Sequence, residues 1–188
     1  AGEKFEKAKA PLLSPFDKKD PQALQNAARK AYNDLTGITE VRAGAYMFWD
    51  CFQAGIGACA IDDIALSVLA EVIGRPTERP DEFLIDAGAF ALSKDTSTAA
   101  LAAEKNVGFG LVCDLDGNVI PGLRVERVWQ EHGLVRAPAP IPPGLFRIGD
   151  RVRILPNHAC PTAAAHDRYH LVNGSRDVIA EWTRVNGW

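Results

Sequence analysis

From Gly37 onward the chain is cut into short apolar segments, and that segmentation constrains its fold more than any other feature. IALSVLAEVIG (64–74), EFLIDAG (82–88), GFGLVCDL (108–115), LRVERVWQ (123–130), RVRILPN (151–157) and HLVNG (170–174) are rich in Val, Ile, Leu and Phe. RVRIL and LRVERV alternate apolar with polar residues, the period of a strand with one buried face. TEVRAGAYMF (39–48) reads the same way, and DVIAEWTRV (177–185) reads as a strand or a short helix. Turn signals lie between them: Asp116-Gly117-Asn118 suits a hairpin, and Gly149-Asp150 another. The four-proline run APAPIPP (137–143) reads as a surface loop. Short connections and polar alternation favour an antiparallel, barrel-like sheet over a doubly wound parallel one. Before Gly37 the pattern is helical: PQALQNAARKAYNDL (21–35) has an apolar stripe at Leu24, Ala27, Ala28, Ala31 and Leu35, with Asp20 as N-cap and Pro21 in the first turn.

The expected fold is therefore mainly β with some α. Of the 188 residues, 47% are hydrophobic and 24% charged, which excludes a disordered or fibrous chain. A net charge of −3 leaves no basic excess for a phosphate backbone, so no nucleic-acid partner is expected. No apolar run is long enough to span a bilayer, and AGEKFEKAKAP lacks a signal-peptide core, so no membrane partner is expected and a cytoplasmic location is. Cys51, Cys59 and Cys113 read as reduced thiols in a core.

Four segments carry candidate chemistry. In RILPNHACPT (153–162), His158 and Cys160 are two apart, and on an extended backbone they project from one face. Imidazole nitrogen with thiolate sulfur suits zinc, and two ligands leave positions open for water or substrate. The plain alternative is a chance histidine beside a buried cysteine. WQEHG (129–133) places Glu131 and His132 at a strand end, where an acid and a histidine suit active-site work; a solvated loop is the alternative. HDRYH (166–170) offers a metal pair only if helical, and its context favours a strand. In TEVRAGAYMFWD (39–50), Tyr46, Phe48 and Asp50 alternate along a strand or fall at its end. Gly88 in DAGAFALSKD (86–95) reads as a tight turn. No phosphate-cradling motif and no nucleophile-elbow motif is present.

TEVRAGAYMFWD, LIDAGAFALSKD, WQEHG and ILPNHACPTAAAHDRYHLV, taken together and in this order, resemble the C-terminal part of the D-serine dehydratase / D-threonine aldolase-like family. These are fold-type III pyridoxal-phosphate enzymes related to alanine racemase. The resemblance covers residues 36–188. It implies a two-part enzyme, an N-terminal (β/α)8 barrel for the cofactor and a C-terminal β-domain that closes the site and brings the metal. It divides this chain into residues 1–60, a tail or remnant of the barrel, and 61–188, the metal-binding β-domain. It places zinc or another divalent cation on His158 and Cys160, the cysteine being the dehydratase pattern where the aldolase branch carries aspartate. It makes Tyr46 a cofactor contact, and Glu131 and His132 substrate or outer-sphere contacts.

The implied reaction is loss of water from a D-3-hydroxy amino acid. The cofactor ring is an electron sink, and the metal is a Lewis acid at the departing hydroxide. The implied partners are the N-terminal barrel portion, a D-amino acid and a second copy in a homodimer. The chain departs from the family in two respects. None of its eight lysines lies in the R-P-H-x-K-T setting of the family's Schiff-base lysine, and the G-S-T-P-T phosphate segment is missing. The expectation is a fragment, a cleaved half or a divergent product, a lyase when complete and inactive alone. Two other readings stay open: a non-catalytic metal-binding β-domain serving as an interaction or regulatory module, and the aldolase branch. A zinc hydrolase lacks H-E-x-x-H and a third evident ligand.

Overall fold

The computed structural model describes residues 44–185. The helix expected over 21–35 lies outside them.

Six strands close into one barrel: β1 (Val68–Gly74), β2 (Glu82–Ile85), β3 (Gly110–Cys113), β4 (Val119–Val128), β5 (Gly133–Arg136) and β6 (Arg151–Pro156). Their order is β1-β2-β5-β4-β3-β6, with β6 returning to β1, and every neighbouring pair is antiparallel. Closure leaves no free sheet edge in the barrel. β1 shows the alternation that builds it: Val68, Ala70 and Val72 are buried, while Leu69 and Ile73 face out. With Phe83, Ile85, Val112, Val125, Val135, Val152 and Ile154 they form one continuous core. A second hairpin, β7 (Arg168–Leu171) and β8 (Ala180–Thr183), stands apart from the barrel sheet. The expected antiparallel, mainly β architecture is what the described residues form.

The turn between β3 and β4 shows how local chemistry sets register. The Asp114 carboxylate accepts from the N–H groups of Asp116 and Asn118, both at 2.9 Å, and Gly117 supplies φ = 93°. The Asn118 side-chain and backbone hydrogen bonds hold the Asp114 carboxyl below its ordinary range.

Two local expectations are corrected, and one strand is not anticipated by the sequence. Residues Ala45–Met47 form a 3-10 turn instead of continuing a strand, so Tyr46, Phe48 and Asp50 do not share a strand face. Tyr46 is exposed, Phe48 packs tilted against Tyr169, and Asp50 caps the helix α1 (Cys51–Gly55). Strand β5 falls in GLVR, too short ahead of the proline run to show its period. Residues Ala159–Ala165 are helical, not extended. HDRYH does run into strand β7, and DVIAEWTRV contains strand β8.

Topology fixes where the motifs go. Because β2 and β6 both run antiparallel to β1, their carboxyl ends lie at one end of the barrel. The β4–β5 turn and the entry to β1 lie at that same end. Hence DAGAFALSKD after β2, WQEHG between β4 and β5, PNHACPT after β6 and the 44–67 segment all emerge together. Residues 48–58 are packed into this end: Cys51 clusters with Cys113 and Leu155, and Ala65 N–H donates to the Phe48 carbonyl at 2.7 Å.

Candidate metal centre

Strand β6 ends at Pro156, and the fully buried Asn157 turns the chain. Its side-chain amide donates to the Thr98 hydroxyl at 2.7 Å and to the Gly108 carbonyl at 2.5 Å. His158 is still extended (φ −134°, ψ 115°) and caps the next helix, α3 (Ala159–Ala165). This segment favours a helix for two reasons. Pro161 falls in the first turn, where its missing N–H has no intrahelical partner to lose, and Ala163, Ala164 and Ala165 are strong helix formers. The expectation that His158 and Cys160 share one face of an extended strand is therefore overturned. They straddle a strand-to-helix junction, with Cys160 in the first turn.

Two carboxylates from distant segments fix that junction. The buried Asp50 accepts from Ala159 N–H through Oδ2 and from Gln53 N–H through Oδ1, both at 2.8 Å, so one side chain caps α1 and α3 together. Asp95 Oδ2 lies 2.5 Å from His158 Nδ1. Asp95 follows α2 (Ala89–Leu92), a single helical turn. The Thr162 hydroxyl joins the same two segments, 3.1 Å from the Leu92 carbonyl and 2.9 Å from that of His158. The Cys160 thiol is pushed up, first by partial burial and then by Asp50, with Asp95 adding to the effect against a lowering backbone hydrogen bond. Asp95 is thus bonded to His158 and also contributes to the raised Cys160 thiol.

The donor set fits a zinc-like cation. It combines an imidazole whose Nδ1 is engaged, leaving Nε2 as the ligating nitrogen, with an exposed thiol whose neighbours are anionic. Among the described residues no group of three or more His, Cys, Asp and Glu side chains is arranged to hold a metal. Pyridoxal phosphate fits less well. The described lysines are Lys94, which is exposed, and Lys105, which donates to the Gly55 carbonyl at 2.7 Å. Neither offers the desolvated amine that a covalent cofactor link needs.

The other candidates are placed as follows. Trp129 and His132 stack with ring centroids 4.8 Å apart, and Glu131 is exposed. Their loop is seated on the start of α2: Ala89 N–H donates to the Trp129 carbonyl at 2.7 Å and Phe90 N–H to the Gln130 carbonyl at 3.0 Å. Among the described residues no hydrogen bond or ion pair joins Glu131 or His132 to His158 or Cys160. The two clusters meet through α2. Asp95 and Thr162 are not singled out by sequence, and Asp50 is, but as a strand-borne residue and not as the cap of two helices. Asp95 lay inside a quoted motif, but its partner is 63 residues away.

A closed antiparallel barrel with a histidine and cysteine at one rim places the chain in the class of alanine racemase-like C-terminal domains. An ala racemase-like protein from Idiomarina loihiensis superposes with a TM-score of 0.74 at 34% identity, over 100% of this chain and 55% of that one. The chain belongs to the family described as "Putative serine dehydratase domain", which matches residues 65–172.

Among curated relatives, D-threo-3-hydroxyaspartate dehydratase of Delftia sp. is 43% identical over 162 residues, 84% of this chain and 42% of that protein. D-serine dehydratase of Dictyostelium discoideum is 35% identical over 155 residues, 81% of this chain and 38% of that protein. The chain thus spans about two fifths of the length of these dehydratases. An uncharacterized protein of Mycobacterium tuberculosis is 31% identical over 140 residues, 72% of this chain and 93% of that protein. Solved structures of D-threo-3-hydroxyaspartate dehydratase include a histidine-to-alanine mutant (TM-score 0.75, 34% identity, 100% of this chain and 54% of that one) and a cysteine-to-alanine mutant in the metal-free form (TM-score 0.71, 39% identity, 86% and 43%).

Proposed function

We propose that this chain is the metal-bearing C-terminal portion of a pyridoxal-phosphate- and metal-dependent lyase that removes water from a D-3-hydroxy amino acid. His158 and Cys160 would hold a divalent cation, zinc by ligand type. One observation carries the reading. In D-threo-3-hydroxyaspartate dehydratase the mutated histidine and cysteine lie two positions apart, and the cysteine mutant's structure is of a metal-free form. His158 and Cys160 are the same residue types at the same spacing. When bound, such a cation supplies Lewis acidity toward a hydroxyl oxygen. This chain's own part is to hold the cation, with Asp50 and Thr162 fixing the backbone around it. Tyr46 is proposed as a cofactor contact, and Glu131 and His132 as substrate contacts on the loop seated on α2. A cytoplasmic homodimer completes the proposal. A reducing setting fits four cysteines that form no disulfide.

The mycobacterial relative supports a second reading. It matches over 93% of its own length, which suits a β-domain that binds metal without catalysis.

The test is release of ammonia and a 2-oxo acid from D-serine and from D-threo-3-hydroxyaspartate. It uses the whole gene product, with pyridoxal phosphate and zinc added. The lyase reading expects turnover of one or both, slowed roughly 100-fold or more in Cys160→Ala with unchanged circular dichroism. Turnover equal in both proteins removes the metal role. Zinc bound without turnover favours the second reading.

A further inference from the structure

We propose that Asp95 is the positioning residue of this centre: its carboxylate accepts a hydrogen bond from the Nδ1–H of His158, holds the ring in that tautomer and presents Nε2 to the cation. The proposal rests on the metal reading above, and four observations carry it.

The first is the contact itself, Asp95 Oδ2 to His158 Nδ1 at 2.5 Å. A neutral imidazole has one proton for two nitrogens, so ligation through Nε2 requires the proton on Nδ1. Free imidazole side chains do not hold that form by themselves, and a carboxylate acceptor on Nδ1 selects it.

The second is the approach to Asp95. Ser93, the residue that ends α2, has φ = 69° and ψ = 178°, a conformation L side chains rarely adopt. Its hydroxyl accepts from Asp95 N–H at 3.1 Å. The chain holds an unfavourable backbone conformation where it redirects Asp95.

The third is a second tether between the same segments. The Thr162 hydroxyl lies between the Leu92 carbonyl, just before Ser93, and the carbonyl of His158. Separation between α2 and α3 is therefore set independently of the Asp95–His158 contact.

The fourth is exposure. The Asp95 side chain is 50% exposed and that of His158 34%. A surface pair of this kind adds little to folding stability. Its position is better explained by what it does to the ring than by what it does for the fold.

The experiment uses the 188-residue chain labelled with 15N. Long-range 1H–15N correlation at pH 8 reads the two ring nitrogens of His158, assigned by comparison with His158→Gln. Cobalt(II) titration reads metal affinity. The expected wild-type spectrum has a protonated Nδ1 and an unprotonated Nε2. In Asp95→Asn, whose amide can donate to Nδ1, the proton moves to Nε2 and cobalt affinity falls about 10- to 100-fold, with circular dichroism unchanged. An Nε2–H tautomer in the wild type overturns the proposal, even if Asp95→Asn does not fold. Equal cobalt affinity in wild type and Asp95→Asn overturns it while leaving the metal site standing. Failure of the wild type to bind cobalt overturns both.

Discussion

Four cysteines in one chain have four different environments, and reactivity follows from them. Burial pushes the Cys51 thiol up to about 12, and burial with Asp114 nearby pushes Cys113 to about 11. Cys51 also donates to the Leu155 carbonyl at 3.5 Å, which ties it into the core. Cys59 is half-buried and Cys160 exposed. Only the thiolate attacks a labelling reagent, and the reagent must reach it: the Cys160 thiol is also pushed up but is exposed, whereas Cys51 and Cys113 are both raised and buried. Mass spectrometry after brief labelling of the native chain is expected to find Cys160 modified and Cys51 and Cys113 intact, with added zinc protecting Cys160. Fast native labelling of Cys51 and Cys113 would contradict the packing described here. At this scale the sequence was informative about type and not about partner. His158 and Cys160 stood out by chemistry, whereas Asp50 reaches Ala159 across 109 residues and has no local signature.

At the scale of elements, legibility followed the strand period. β4 and β6 alternate apolar with polar residues, and that period is legible in the sequence. β5 is only four residues long and was missed. Helix α3 is hidden because the segment around His158 and Cys160 reads as extended, although Pro161 opens an alanine-rich turn. Gly88 was read as a tight turn, and the structure adds a close approach. A Cβ there would lie 2.5 Å from His132 N, 2.6 Å from the Gln130 carbonyl oxygen and 2.6 Å from the Glu131 carbonyl carbon, all backbone. Backbone cannot rotate aside as a side chain can, so Gly88→Ala must push WQEHG off the start of α2. Urea denaturation is expected to show a loss of about 1–3 kcal/mol, the range for forced overpacking. An unchanged midpoint would mean that the loop is not seated as described.

For the whole molecule, the barrel is a device for gathering. Residues 50, 95, 131 and 158 are far apart in sequence, yet antiparallel closure delivers their segments to one rim. Alternating strands suggested the barrel from sequence. The identity of the rim depends on strand order, which periodicity does not encode. The central claim is that this rim holds a cation through His158 and Cys160. Cobalt(II) absorption tests it most directly, because a cobalt–thiolate bond gives a near-ultraviolet charge-transfer band that oxygen and nitrogen ligands do not. The account predicts one cobalt per chain with that band in the wild type, and loss of the band in Cys160→Ala at unchanged circular dichroism. Cobalt bound without the band, or a band that survives Cys160→Ala, would contradict it.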